Sequence, residues 1–132
     1  MLKKLMKKEE GFTLAELLIV VAIIAVLVAV SIPIFTSQLK KSRLATNQAN
    51  ARAAKAAIVA AYLEDDTVEG GTYDVASGIF SKGSGTGTIT DEPATWGVDT
   101  SAVSGKTFGD TVFKGQWTVS IDSSGAVAYT PA

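Results

Sequence analysis

The chain contains neither cysteine nor histidine among its 132 residues. Without cysteine no disulfide can close a loop, and without either residue no Cys/His zinc site can form. Catalytic triads and dyads that use histidine or a cysteine nucleophile are excluded for the same reason. The 12 basic and 13 acidic side chains nearly balance, so nucleic acid is not indicated as a partner. The length predicts one domain with little left over.

Charged side chains are almost missing from one stretch, because Glu16 is the only one in residues 12–39. Four lysines precede this stretch within residues 1–11, and five basic residues without any acid occupy residues 40–62. Residues 63–132 carry ten acids and three lysines. A basic start, an apolar stretch, a basic stem and an acidic remainder indicate a membrane-oriented protein.

The apolar stretch is long enough to cross a membrane. Residues 17–30 are apolar without a break, and residues 12–35 contain three polar side chains besides Pro33. As a helix, these 24 residues would extend about 36 Å, against a hydrocarbon core of about 30 Å. The preceding lysines should stay cytoplasmic by the positive-inside rule, which puts residues 36–132 outside.

Three interpretations of this segment are open. An ordinary secretory signal would use Ala29-Val30-Ser31 as its small-residue cleavage site. A plain membrane anchor would keep the helix without further function. Both leave Glu16 unexplained, because a carboxylate inside the apolar region only weakens insertion. The third interpretation depends on a motif that includes this residue.

The motif is the segment KKEEGFTLAELLIVV, which begins at Lys7. A short basic leader ends in Gly11 and is followed by Phe12, the tetrapeptide TLAE and an unbroken apolar helix. In these features residues 1–35 resemble the type IV pilin family and the related type II secretion and competence pseudopilins. The resemblance implies that a prepilin peptidase cleaves between Gly11 and Phe12 on the cytoplasmic side. The same enzyme would methylate the new amine of Phe12, and the apolar helix would be retained.

Glu16 places a carboxylate in the apolar helix, one turn after Phe12. A charge at the bilayer centre costs about 2.5–3.5 kcal/mol, and no basic side chain occurs between Phe12 and Leu39. The resemblance implies that Glu16 pairs with the freed amine of Phe12 on a neighbouring subunit. The alternative is a Glu16 side chain that snorkels to the interface without a partner.

The helical pattern continues beyond the apolar stretch to about residue 63, with an apolar stripe at three- and four-residue steps within residues 51–62. Pro33 lies inside this helix and costs roughly 3 kcal/mol there. It predicts a kink, either passive or a yield point during packing or stretching, with Ser31 partly satisfying the freed backbone. The basic cluster of Lys40, Lys41 and Arg43 can face solvent, lipid headgroups or acids of neighbouring subunits.

The C-terminal half has the patterns of a small β structure. Alternation in residues 116–121 predicts a strand, followed by a hairpin turn at residues 122–125 and a shorter strand that contains Val127 and Tyr129. A third strand is predicted within residues 107–114. Ile89 is expected to start a short strand, and Trp96 is expected to pack into the core.

The predicted fold class is α+β, with a long N-terminal helix and a three- or four-stranded antiparallel sheet packed on its C-terminal half. This is the pilin fold that the resemblance implies. Without cysteine the chain cannot form the disulfide that many members have, and it fits the Cys-free pilins of Gram-positive bacteria better. The expected divisions are a leader at 1–11, a transmembrane and filament-core helix at 12–35, a stem at 36–63 and a head at 64–132.

The expected function is that of a structural pilus subunit that polymerises through its hydrophobic helix for adhesion, motility or DNA uptake. The implied partners are other copies of the chain, prepilin peptidase, the membrane assembly machinery and, before assembly, membrane lipid. The precursor would be a single-pass protein of the cytoplasmic membrane, and the mature chain an extracellular filament. No cofactor, metal or enzymatic activity is expected. The alternatives are a pseudopilin of a secretion or competence system, and a secreted or anchored β-rich enzyme or binding domain.

Overall fold

The computed structural model describes residues 13–132. The chain divides into two compact units, Met1–Gln38 and Leu39–Ala132, and each is considered by itself below. The leader at 1–11 and the two residues of the expected processing site, Gly11 and Phe12, lie outside the described residues.

The longest element is helix α1, Leu14–Glu64, which contributes to both units. Its many alanine and leucine residues are strong helix formers, and the helix continues past Pro33. In the second unit its buried positions recur at three- or four-residue steps, at Asn47, Ala51, Ala54 and Ile58. These positions form the face that packs on the sheet, in agreement with the predicted stripe.

Four strands form one antiparallel sheet, and with all strands numbered in chain order they are Gly70–Asp74 (β1), Ile79–Gly83 (β2), Gln116–Ile121 (β5) and Val127–Thr130 (β6). Their order across the sheet is β2-β1-β5-β6. The two C-terminal strands confirm the alternation seen in the sequence, because every second side chain of β5 is buried. One long helix with an antiparallel sheet packed on it confirms the α+β fold class.

The turn between β5 and β6 is held by the Asp122 side chain. Its Oδ1 accepts hydrogen bonds from the Ser124 N–H, the Ser124 hydroxyl and the Ala126 N–H. Gly125 has a φ of +89°, a backbone conformation that glycine adopts without steric cost. Asp122 and Gly125 therefore make this turn for the local reasons that the sequence indicates.

The third predicted strand, within residues 107–114, is wrong. Residues 108–113 form turns and irregular backbone, and the small ladder nearby joins β3, Ser101–Val103, to β4, Lys106–Thr107. The apolar side chains that suggested a strand, Phe108 and Phe113, are buried. The Phe108 carbonyl and the Phe113 N–H and carbonyl bond to side chains of α1, while the Phe108 N–H donates to the Thr100 carbonyl.

The side chain of Asn47, which is fully buried, holds residues 108–113 in place. Its Nδ2 donates to the carbonyls of Phe108 at 3.0 Å and Thr111 at 2.8 Å. Its Oδ1 accepts the Phe113 N–H at 2.9 Å. A single side chain thus supplies the partners that strand pairing would otherwise provide.

The expected strand start at Ile89 is a single antiparallel bridge to Tyr129, and the expected burial of Trp96 is confirmed at 4% exposure. Trp96 stacks on Phe108 with ring centroids 4.4 Å apart and meets Tyr129 edge-on at 5.5 Å. The core joins these rings to the helix and the sheet, and its largest fully buried apolar side chains are Trp117, Tyr129, Phe108, Ile58 and Val119.

Candidate functional site

The described part of the first unit presents an apolar surface. Every large apolar side chain of α1 between Leu14 and Phe35 is exposed. Within residues 13–132, α1 is the one helix that is long and apolar enough to cross a membrane. Because water does not favour so large an apolar surface, lipid or other apolar helices should cover it.

Glu16 lies in the first turn of α1, at the N-terminal edge of this apolar surface. Its carboxylate Oε2 accepts the Thr13 N–H at 3.3 Å, and the Thr13 hydroxyl accepts the Glu16 N–H at 3.2 Å. With Thr13 as the N-cap, Glu16 occupies the third helical position, so the pair forms a capping box. The negative charge also lies at the positive end of the helix dipole, which is favourable.

The capping box changes how Glu16 is understood. Within residues 13–132 no salt bridge involves this side chain, but its carboxylate has a backbone partner. The sequence reasoning considered only a cation as a partner and missed the cap, although Thr-x-x-Glu before an apolar run is its usual signature. The expected pair with the amine of Phe12 stays a prediction, because Phe12 lies outside the described residues.

Pro33 has no N–H, so the Ala29 carbonyl loses its usual donor four residues later. The Ser31 hydroxyl donates to the Leu27 carbonyl at 2.6 Å, and the Thr36 hydroxyl donates to the Ile32 carbonyl at 3.0 Å. The expectation that Ser31 compensates for the backbone group freed by Pro33 is therefore wrong. The reason is reach, since a serine hydroxyl in a helix bonds the carbonyl four residues before it.

The basic cluster belongs to the second unit and partly faces its own chain. An Arg43 nitrogen donates to the Gly109 carbonyl at 3.3 Å. Hydrogen bonds from Thr107 lower the pKa of Asp110, and the charges of Lys40 and Arg43 lower it further. Part of the basic cluster thus contacts its own chain, an arrangement that the sequence did not predict.

Acidic side chains of the second unit do not gather into an evident metal site. Within residues 13–132, no group of three or more potential metal ligands occurs. Asp65 instead accepts hydrogen bonds from the Thr67 hydroxyl and backbone, and together with Lys82 they lower its pKa to about 2. Asp65 and Lys82 form one ion pair at 3.2 Å, and Lys55 and Glu92 form another at 2.9 Å.

Comparison with known proteins finds one family model and several curated relatives. Residues 6–32 match the family model of the prokaryotic N-terminal methylation motif. The chain is 39% identical over 62 residues to a type IV major alpha-pilin of Moraxella bovis, a match that covers 47% of this chain and 39% of that protein. It is 41% identical over 71 residues to a fimbrial protein of Dichelobacter nodosus, over 54% of this chain and 44% of the relative.

These matches have a limited extent. The chain spans about two fifths of the length of the curated relatives it matches. No solved structure matches it significantly. The methylation motif and the named relatives nevertheless confirm the resemblance to the type IV pilin family.

Proposed function

We propose that this relative of the type IV pilins is a structural subunit that polymerises through the apolar part of α1 into a cell-surface filament. The observation that carries the proposal is the exposed apolar surface of residues 14–35 with a carboxylate in its first turn. Before assembly this surface would face membrane lipid, and in the filament it would face the same helix of neighbouring copies.

Processing of the N-terminus is part of the proposal. A prepilin peptidase would cleave between Gly11 and Phe12 and methylate the Phe12 amine. The match to a methylation motif over residues 6–32 supports this step. Glycine also suits the position before the cleaved bond, because it leaves the backbone accessible.

The proposed assembly contact joins Glu16 to the Phe12 amine of a neighbouring copy. At about 4 Å and an effective dielectric near 20, such a pair gains about 4 kcal/mol before desolvation is subtracted. Even a quarter of this gain, repeated at every subunit contact, would favour recruitment in one axial register. An incoming chain without the carboxylate would leave an amine unpaired in apolar surroundings, which is costly.

The remaining divisions follow from this assignment. Residues 1–11 would be the leader, 12–35 the membrane and filament-core helix, 36–63 the stem and 64–132 the head, with Pro33 as a kink. The precursor would reside in the cytoplasmic membrane, where the pilus assembly machinery extracts it. The finished filament would serve adhesion, motility or DNA uptake at the cell surface. The relatives' names, pilin and fimbrial protein, favour a pilus over a secretion pseudopilin.

The test compares Glu16→Ala and Glu16→Gln with the unchanged chain in a cell that makes filaments from it. Sheared surface filaments and membrane-held subunit are quantified in each case. Glu16→Ala should insert at least as well, because an intramembrane charge has been removed, and yet yield few filaments. Glu16→Gln keeps the shape and should be nearly as defective. Normal filament yield from Glu16→Ala, with normal processing, would refute the assembly role.

Processing is measured in the same cells as the intact mass of the filament subunit. We expect a chain that begins at methylated Phe12, and an unprocessed membrane-held precursor for Gly11→Leu. A mature chain that begins at Ile32 would indicate ordinary signal-peptidase cleavage, and would contradict the proposal as a whole.

A further inference from the structure

The first turn of α1 contains two hydrogen bonds that the assembly role of Glu16 does not itself require. The Thr13 hydroxyl accepts the Glu16 N–H, and Oε2 of Glu16 accepts the Thr13 N–H. Each bond holds one side chain against the backbone of the other residue, so the carboxylate is confined to the N-terminal end of the helix. Removal of the Thr13 hydroxyl would therefore leave the Glu16 N–H without its side-chain partner and loosen the first turn, which brings the carboxylate to the Thr13 N–H, without changing the charge of Glu16.

The second carboxylate oxygen is the part of Glu16 that can meet an incoming cation. Within residues 13–132, Oε1 of Glu16 takes part in no hydrogen bond or ion pair. An ionised carboxylate accepts several hydrogen bonds on its two oxygens, so the cap and an ammonium partner are compatible. The cap therefore does not compete with the proposed pair.

The position of the cap along the chain is also relevant. The Thr13 N–H belongs to the peptide bond that follows Phe12. The carboxylate is thus held at the same end of the helix as the residue on which processing would create the amine. In a stack of copies, an amine and a carboxylate at corresponding ends of their helices need a defined axial offset to meet.

We propose that Thr13 is a positioning residue for assembly, holding the Glu16 carboxylate ready for the amine of a second copy of this chain. This inference rests on the proposed function, since it assigns a role in the same contact. A side chain that is ordered beforehand loses less freedom on binding, which is equivalent to about two- to tenfold in an association constant. The Thr13 N–H binds the carboxylate directly, and the Thr13 hydroxyl, not its bulk, supports this ordering by holding the Glu16 N–H and so the first turn.

The test uses three substitutions in the full chain. Thr13→Val keeps the shape and removes the hydroxyl, while Thr13→Ser keeps the hydroxyl and removes a methyl group. Thr13→Val should lower filament yield severalfold and Thr13→Ser should restore it. The double variant of Thr13→Val with Glu16→Gln should be no worse than Glu16→Gln alone, because both changes act on one contact.

The outcomes separate this inference from the proposed function. Normal assembly of Glu16→Ala would remove the proposed function and the inference together. A defective Glu16→Ala with a normal Thr13→Val would overturn the inference alone. The inference would also be overturned if Thr13→Ser were as defective as Thr13→Val, or if the double variant lost the product of the two separate effects.

A second measurement does not depend on processing or on filament yield. Hydrogen exchange of the full chain in detergent micelles reports the Glu16 and Leu17 amides, which bond to the Thr13 hydroxyl and carbonyl. Thr13→Val should speed their exchange about fivefold, which corresponds to the ~1 kcal/mol typical of an N-cap. Thr13→Ser should leave the exchange unchanged, and equal rates in all three chains would refute the cap.

Discussion

Asn47 is a polar residue at a position where the helix face is otherwise apolar. It is fully buried, and its amide bonds to Phe108, Thr111 and Phe113. A buried amide is tolerated only when its hydrogen bonds are made, and here they also fix an irregular segment. This residue therefore helps to specify one conformation in a chain that cannot form a disulfide.

We expect Asn47→Leu to destabilise the second unit by about 3 kcal/mol or more, since each buried group left unpaired costs about 1–3 kcal/mol. Asn50→Ala is the matched control, because Asn50 makes one partly buried bond of 3.3 Å, to the Phe113 carbonyl. Its loss should cost less than about 1 kcal/mol. Urea unfolding of residues 39–132, followed by circular dichroism, measures both, and equal losses would contradict the role of Asn47.

Tyr129 is the opposite case, a buried polar group without a partner. Its side chain is 1% exposed, and within residues 13–132 its hydroxyl makes no hydrogen bond. Burial raises the pKa of Tyr129 to about 12, and the charge of Glu92 adds to this rise. The neutral phenol is thus favoured in the folded chain, at the cost of an unpaired hydroxyl.

Tyr129→Phe should leave stability near pH 7 unchanged or raise it by about 1 kcal/mol, because an unpaired buried hydroxyl is removed. The folded pKa of Tyr129 exceeds the unfolded value of 10.0. Ionisation of Tyr129 therefore costs no stability below pH 10, but as the pH rises from 10 towards about 12 the unfolded chain ionises first and the free energy of unfolding falls. Urea unfolding at pH 7 and pH 11 tests this. Tyr129→Phe should lose less stability between the two pH values than Tyr62→Phe, which keeps the buried phenol.

Strands β1 and β2 show why part of the sheet is hidden from sequence patterns. The strand β1 starts with Gly70 and Gly71, and β2 is mostly exposed, so neither shows the alternation of β5. The glycines are needed because a side chain at Gly71 would collide with the Ser81 carbonyl and the Phe80 ring. Close packing therefore selects residues that local propensity disfavours in strands.

Gly71→Ala should separate β2 from β1 and destabilise the second unit by several kcal/mol, in the range of severe core changes. Gly83→Ala is the control on the facing strand, where an added Cβ would lie 3.6 Å from the Gly71 Cα, an ordinary contact. Thermal unfolding of residues 39–132 compares the two variants. A small effect of Gly71→Ala would mean that β2 can shift to accept a side chain.

The strand predicted within residues 107–114 is wrong for another reason. Its apolar residues, Phe108 and Phe113, are as buried as those of a strand, and sequence patterns report burial more directly than pairing. What decides the backbone here is Asn47, about 60 positions earlier in the sequence. Only the folded chain brings the two together.

At the scale of the whole molecule, the sequence predicted more of the first unit than of the second. The N-terminal helix and its expected site residues follow from a local motif, since Gly11, Phe12 and Glu16 lie within six positions. The four-stranded order of the sheet in the second unit depends on contacts between distant segments, and the sequence patterns predicted only the hairpin of β5 and β6. The motif also contains the signature of the capping box, but the charge of Glu16 led to the prediction of a cationic partner instead.

Residues 39–132 should fold alone and remain monomeric in dilute solution. In this unit the large apolar side chains that are exposed are Leu39, Leu63 and Ile79, which is within the range of ordinary soluble proteins. Analytical ultracentrifugation tests the expectation, with the full chain in detergent as the control. Stable large oligomers of residues 39–132 would show that assembly surfaces are not confined to the apolar part of α1.

The placement of the two tryptophans has a spectroscopic consequence. Trp96 and Trp117 are the only tryptophans of the chain, both are buried in the second unit, and their rings lie 6.4 Å apart. Intrinsic fluorescence therefore reports the second unit and is silent about residues 13–38. A filament that forms by helix packing alone should keep the emission spectrum of the free subunit, so any shift on assembly would reveal rearrangement of the aromatic core.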